Sequence, residues 1–180
     1  MLEDKVLVWQ LKHGNIDALR QIYEKYKHEL LALAITLSSD KAAAEDVVHD
    51  VFVSFAGATD KLELRRSLRS YLLTCVANRV RNLGRTKSPN SNGLEDLILF
   101  RAGAKNSSEP VIRAEQSRRI SEALDELPYH QREVIVLHLQ SQMKFKEIAV
   151  SQGVSINTVQ ARYRYGLDKL RSLLDSEAEE

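Results

Sequence analysis

The chain is short of the residues that brace or punctuate most small folds. Its 180 residues include one cysteine, three prolines, seven glycines and one tryptophan. A single cysteine excludes an internal disulfide and fits a reducing compartment. That residue, Cys75, lies in Leu72-Leu73-Thr74-Cys75-Val76-Ala77 and reads as a small core side chain. With so little Pro and Gly, a protein of many short strands lacks its turns; the long periodic segments predict an all-α fold. No apolar run approaches the roughly 20 residues of a membrane span. The start, Met1-Leu2-Glu3-Asp4-Lys5, has no apolar signal core, so a cytoplasmic location without membrane insertion is expected. Neither a phosphate-binding glycine loop nor a Gly-x-Ser-x-Gly elbow is present, and no enzymatic activity is expected.

Net charge is nearly absent too, at +1, but this balance conceals segregation. Residues 1–60 hold six basic against ten acidic side chains, a net −4. Residues 61–87 hold eight basic against one acidic, a net +7. Adjacent blocks of opposite sign suit two partners of opposite charge. A protein that binds duplex DNA alone needs more positive charge, because phosphate neutralisation supplies most of its affinity. This chain is expected to borrow affinity from a larger partner.

Apolar spacing predicts helices over 2–12, 16–37, 41–56 and 65–83. Asp40 is a natural N-cap for the third, and Ala42-Ala43-Ala44 favours helix. Ile16, Leu19, Ile22, Tyr23, Tyr26, Leu30, Leu33 and Ala34 form one apolar stripe. Val47, Val51 and Phe55 form another, and both should pack with Leu68, Tyr71, Leu72, Cys75 and Val76. Two turn-rich polar stretches then flank the short apolar run Leu94 to Phe100. Residues 84–110 are therefore expected to be a flexible linker between a first domain, 1–83, and a second, 111–180. In the second domain one helix is stopped by Pro128, and Val134 and Leu137 mark another.

Lys146 to Val159 has the pattern of a helix-turn-helix. Ala149 is small enough for two helices to cross, and Gly153 suits a tight turn needing positive φ. Val154 plugs the turn, Ser155 caps the next helix, and Val159 faces the core. Ile156, Val159, Tyr163, Leu167, Leu170 and Leu174 then keep helical spacing. The opposite face carries Asn157, Gln160, Ala161, Arg164 and Arg171. Amides can bond an adenine edge twice, and arginines hold phosphates further along.

These residues resemble a bacterial RNA polymerase sigma factor of the sigma-70 family, in its extracytoplasmic-function (ECF) group. Leu124-x2-Leu127-Pro128-x3-Arg132-Glu133-Val134, then Glu147-Ile148-Ala149, Gly153-Val154-Ser155-x2-Thr158-Val159-x2-Arg162 and Leu170-Arg171-x2-Leu174 resemble that family's C-terminal domain. Ala44 to Phe52 is similar to its polymerase-binding helix, and Arg69-Ser70-Tyr71-Leu72-x4-Ala77-Asn78-Arg79 to its promoter-melting helix.

The resemblance implies a sigma-2-like bundle and a sigma-4-like four-helix domain. It implies that Glu45, Asp46, His49, Asp50 and Phe52 dock on the β′ clamp helices of core polymerase. It implies that Arg65, Arg66, Arg69, Ser70, Asn78, Arg79, Arg81, Asn82 and Arg85 engage and melt the −10 element. The cations suit a separated strand and the polar groups an unstacked base. Phe145, Lys146, Asn157, Thr158, Gln160, Ala161, Arg162, Arg164 and Tyr165 would then serve the −35 element, Phe145 and Lys146 on the backbone. The β flap is a further implied contact, and regulation by an anti-sigma factor is a family habit. No cofactor and no metal are implied. Departures from the pattern include Asn82, His49, Gln160-Ala161 and Arg164-Tyr165-Gly166, and they leave the promoter consensus open. Gly166 costs a helix about 0.5–1 kcal/mol relative to Ala, so a close neighbour is expected there.

Other readings of the same residues are weaker. Glu45, Asp46, His49 and Asp50 have helical spacing for a metal, but one acidic helix turn rarely closes a site. His130 and His138 have no evident partner in sequence. The main alternative is a stand-alone helix-turn-helix regulator with a dimerising first domain. That would need an exposed apolar seam, whereas the exposed features expected here are charged.

Overall fold

The computed structural model describes residues 2–59, 67–84 and 110–176. All regular structure among them is helical. In the first half, α1 is Leu2–Lys12, α2 Ile16–Ser38, α3 Lys41–Ala58 and α4 Leu68–Gly84. In the second half, α5 is Pro110–Asp125 and α6 is Tyr129–Ile135, which runs on as a π-helical turn, Val136–Gln140. The last two are α7, Phe145–Gln152, and α8, Ile156–Ser176. Arg65, Arg66 and Arg85, and residues 85–109 of the linker expected over 84–110, lie outside the described residues.

Each boundary has a local cause. Asp40 accepts from the Ala43 N–H at 3.0 Å, and Asn15 accepts from that of Asp17 at 3.0 Å. Each such cap contributes about 1 kcal/mol. Helix α2 ends because Ser39 takes a left-handed conformation, φ 54°, and returns its N–H to the Ile35 carbonyl at 2.8 Å.

Helices α1 to α4 form a bundle around Ile22, Leu30, Leu33, Val47, Val51, Phe55, Leu68, Leu72 and Val76, all buried. Burying each large side chain contributes about 1.5–3 kcal/mol. The two apolar stripes meet as expected, with one correction. Ile16 is 79% exposed and Tyr23 is 40% exposed, so neither belongs to the core. Ala18, Ile22 and Tyr26 take the inward line of α2, and Ile16, Leu19 and Tyr23 fall one step round the helix, at its edge with α3. Helix α1 is pinned by Asp4, which accepts from the Tyr26 hydroxyl at 2.9 Å and the Lys25 ammonium at 2.8 Å. Burial, then the bond to Asp4, pushes the Tyr26 hydroxyl up to about 12.

Helices α5 to α8 and the π turn enclose Leu127, Val134, Leu137, Met143, Ile148 and Val159. The π turn shows in the bond from the Ser141 N–H to the Val136 carbonyl, 3.2 Å. Gly166 meets the expected close neighbour. A Cβ there would stand 2.8 Å from Ile135 Cδ1 and 3.1 Å from Gln131 Cβ. The glycine lets α8 lie against α6.

The two halves also pack on each other. Helix α2 meets α6 and the π turn, α4 meets α7, and the buried apolar cluster is continuous through both halves. Polar bridges cross the same seam. Ser39 donates to Asp125, which also pairs with Arg132. Ser70 Oγ donates to Glu147 Oε1 at 3.0 Å. Arg81 binds Glu133.

Candidate nucleic-acid interface

The helix-turn-helix is built from local rules. Gly153 ends α7 at φ +65°, and the Val154 N–H returns to the Ala149 carbonyl at 3.0 Å. Ser155 Oγ accepts from the Thr158 N–H at 3.1 Å and lies 2.8 Å from the Thr158 hydroxyl. At the other end of α7, the Lys144 N–H donates to Glu147 Oε2 at 3.0 Å. Val159 is fully buried beneath the turn. The N-terminal half of α8 is thereby fixed at its base and open on its outer face.

On that face Asn157, Gln160, Arg164 and Tyr165 are exposed, and Thr158 and Ala161 are half-buried. The Arg164 guanidinium lies over the Tyr165 ring, 5.1 Å from its centroid, which steadies both. Lys146 is exposed. Two of the expected residues turn inward instead. Arg162 donates to Gln152 Oε1 at 2.7 Å and ties α8 back to α7. Phe145 stacks on His138 at 4.2 Å and meets Tyr163 edge-on at 5.2 Å. His138 therefore has partners that sequence spacing did not show. Its Nδ1 lies 2.8 Å from the Met143 carbonyl oxygen, and the π turn brings its ring between α7 and α8.

On α4 the cations are paired. Arg69 binds Glu29 of α2, with Nε donating at 3.0 Å. Arg79 binds Asp50 of α3. Arg81 binds Glu133, its Nε donating at 3.3 Å, and donates from Nη1 to Asn78 Oδ1 at 3.0 Å. Asn82 is exposed. Ser70 departs from the expectation of an open polar contact, being 4% exposed. Tyr71 is half-buried and lies 6.2 Å from the Phe55 ring. Burial, then Cys75, pushes its hydroxyl up to about 12, and burial also raises the Cys75 thiol.

On α3, Glu45, Asp46 and His49 are exposed and Asp50 is partly so. Phe52 is mostly buried and meets Tyr23 edge-on at 4.9 Å. Beside this acidic row runs an open apolar groove between α2 and α3, lined by Ile16, Leu19, Tyr23, His49, Phe52 and Val53. Val53 is 58% exposed. The expectation that the exposed features would be charged alone is thus corrected. Spacing held the signal: His49, Phe52, Val53 and Ala56 form a stripe next to Glu45 and Asp46 on one helix.

Among the described residues, no helix is long and apolar enough to cross a membrane, and no three His, Cys, Asp or Glu side chains converge to hold a metal ion.

Comparison with known proteins decides the family. The model of sigma-70 region 2 matches residues 22–89, and that of sigma-70 region 4 matches residues 117–170. The RNA polymerase sigma factor CnrH of Cupriavidus metallidurans is 30% identical, over 98% of this chain and 96% of its own. The ECF RNA polymerase sigma factor SigW of Bacillus subtilis is 25% identical, over 94% of this chain and 96% of its own. The chain belongs to the extracytoplasmic-function group of the sigma-70 family.

As an ECF sigma factor it is a promoter-directing subunit. Its fold agrees with solved relatives. CnrH, in complex with the cytosolic domain of CnrY, superposes with a TM-score of 0.72 at 26% identity, covering 97% of this chain and 98% of the other. The sigma factor RpoE of Bartonella quintana, in complex with the anti-sigma factor NepR, shares the fold at a TM-score of 0.66 and 24% identity, over 87% and 96% of the two chains. The region 2 match contains α3 and α4, and the region 4 match contains the whole helix-turn-helix.

Proposed function

We propose that this ECF sigma factor docks on core RNA polymerase through the exposed row Glu45, Asp46 and His49 with the adjoining α2–α3 groove. Asp50 and Phe52 complete that surface from its half-buried side. Helix α4, with the preceding segment, takes the separated strand of the −10 element, and Arg69, Asn78, Arg79, Arg81 and Asn82 are its described contacts. The N-terminal half of α8 reads the −35 element through Asn157, Gln160, Arg164 and Tyr165, with Lys146 on the backbone. One observation carries this assignment: the Ser155-capped start of α8 keeps Asn157, Gln160 and Arg164 exposed on its outer face. RNA synthesis is the polymerase's chemistry, and the sigma factor's work is placement in the cytoplasm, beside the promoter. The apolar groove also suits an anti-sigma partner, as NepR is for RpoE.

The test is run-off transcription with purified core enzyme on a genomic promoter library. Transcripts starting downstream of one shared pair of elements are expected. Failure to bind core, with no promoter-selective transcript, would overturn the assignment. Glu45→Lys with Asp46→Lys should weaken core affinity by about tenfold or more, since a surface complementary to this acidic row would be repelled by the reversed charges. Asp50 is left intact in that variant because it pairs with Arg79.

A further inference from the structure

The groove between α2 and α3 has the build of a small-molecule site. Its volume is about 470 Å³. Such sites run from about 300 to 1,000 Å³, with apolar walls and a few polar groups that fix orientation. Here Leu19, Tyr23, Phe52 and Val53 give apolar walls, and Arg20 and His49 are the lining side chains that carry nitrogen. Among the described residues, no carboxylate lines the groove. Helices α2 and α3 form an antiparallel hairpin, joined through Ser39 and Asp40. Tyr23 meets Phe52 across the groove at 4.9 Å. Arg20 stands one turn before Tyr23 and His49 one turn before Phe52, so these two lie toward opposite ends. Arg20 is exposed. Glu24, the acid one turn along α2, pairs with Lys27 at 2.6 Å. Among the described residues, no carboxylate pairs with Arg20.

We propose that this groove binds a small anionic amphiphile, an apolar chain or ring bearing one carboxylate, with the carboxylate on Arg20 and the apolar part along Tyr23, Phe52 and Val53. Charge decides the class. A cationic ligand would be repelled by Arg20, and a neutral one would leave the guanidinium without a counter-charge. The planar fork of a guanidinium matches the two oxygens of a carboxylate. The walls supply the rest, because Val53 is 58% and Tyr23 40% exposed until something covers them. A ligand lying there also covers His49 and Phe52, which the functional assignment gives to polymerase docking. Ligand and polymerase therefore compete, and the small molecule sets how much sigma factor is free to join core. Binding stands without that assignment; the competition rests on it.

The test titrates the full, nitrogen-15-labelled chain with sodium octanoate below its micelle concentration, and with octanol as the uncharged control, and follows the amide resonances by NMR. Octanoate should saturate one site, with shifts centred on Leu19, Tyr23, Phe52 and Val53. It should bind at least about tenfold more tightly than octanol, the scale of hydrogen bonds to a charged group. Arg20→Gln should remove that preference. Val53→Trp, which fills the groove, should abolish saturable binding of both, with resonances elsewhere unchanged. Absence of saturation, equal binding of octanoate and octanol, or an Arg20→Gln chain that keeps the preference would each overturn the proposal. Shifts spread over the exposed faces of α1 and α8 as well would show an adventitious additive only, and overturn it too. Holoenzyme formation separates the site from the functional assignment. Octanoate at about ten times its dissociation constant should lower the affinity of the parent chain for core about tenfold, and that of Arg20→Gln by no more than about twofold, by mass action. If octanoate binds as described and core affinity does not move, the site stands and the polymerase docks elsewhere.

Discussion

Gly166→Ala is the sharpest test of how the recognition helix is held. Alanine in place of glycine inside a helix ordinarily gains about 0.5–1 kcal/mol from reduced unfolded-state freedom. Here the new methyl would stand 2.8 Å from Ile135 Cδ1 and 3.1 Å from Gln131 Cβ. Ile135 Cδ1 is the tip of a side chain and can swing away at modest cost. Gln131 Cβ is fixed to its backbone, so α8 and α6 must separate by a few tenths of an ångström. Overpacking of this kind costs about 1–3 kcal/mol. The balance is a net loss of about 1 kcal/mol, read by urea denaturation followed by far-UV circular dichroism. A cycle with Ile135→Val, which deletes the colliding Cδ1, sharpens it. Alone, Ile135→Val should cost about 0.5–1.5 kcal/mol, because it opens a small cavity. Combined with Gly166→Ala, the new methyl fills that space. The double variant should be more stable than the sum of the singles by at least about 0.5 kcal/mol. If Gly166→Ala gains the full helix-propensity increment, or if the two changes simply add, the close approach of α6 is not why residue 166 lacks a side chain.

Two further outcomes are expected. Arg164→Ala should weaken binding of holoenzyme to upstream duplex by about tenfold, the scale of one good contact, with core affinity unchanged; equal loss of both would remove Arg164 from the DNA-facing set. At Asp4, burial pushes the carboxyl up, but hydrogen bonds from Lys25 and Tyr26 outweigh it and hold the group below its ordinary 3.8. Its stabilisation is therefore complete above that value and lost as pH falls through the lower folded one. Asp4→Asn should cost about 1.5–3 kcal/mol at pH 7, the range for hydrogen bonds to a charged group, and the two stability curves should converge below 3.8; a constant gap down to acid pH would refute the assignment of these bonds to the ionised form.

The elements of this fold were legible because their signals are local. Asp40, Gly153 and Ser155 each set a boundary within three or four residues of themselves, and each does so in the structure. The inward lines of α2, α3 and α4 follow from period alone. Gly166 was legible by a different route, as a helical cost that only a close neighbour would justify. What sequence did not show is of one kind: pairings between residues far apart in the chain. Arg81 and Glu133 are 52 residues apart, and Ser70 and Glu147 are 77 apart. Each looks solvated on its own helix, and nothing in either segment names the other. His138 was missed for the same reason, since Phe145 and Tyr163 reach it only after the π turn re-aims its ring. Ile16 and Tyr23 share the apolar stripe of α2 yet lie outside the core, because a stripe gives the side of a helix and not its edge.

The two helices proposed to face DNA are held by different means. Helix α8 is anchored by Val159, Tyr163 and Leu167, which pack into the apolar cluster, while Asn157 and Gln160 are exposed. Its reading face carries no structural duty and stays exposed at no cost to the fold. Helix α4 is different. Arg69, Arg79 and Arg81 are each used in ion pairs, to α2, α3 and α6 in turn. Phosphates that took these arginines would displace carboxylates. The first two displacements leave Glu29 and Asp50 with access to water, since their side chains are 31% and 44% exposed. The third leaves Glu133, 1% exposed, without its counter-charge unless the halves part. An unpaired buried charge is the costliest of the three states, typically about 3–5 kcal/mol. A phosphate that took Arg81 would therefore displace a more costly partner than one that took Arg69 or Arg79.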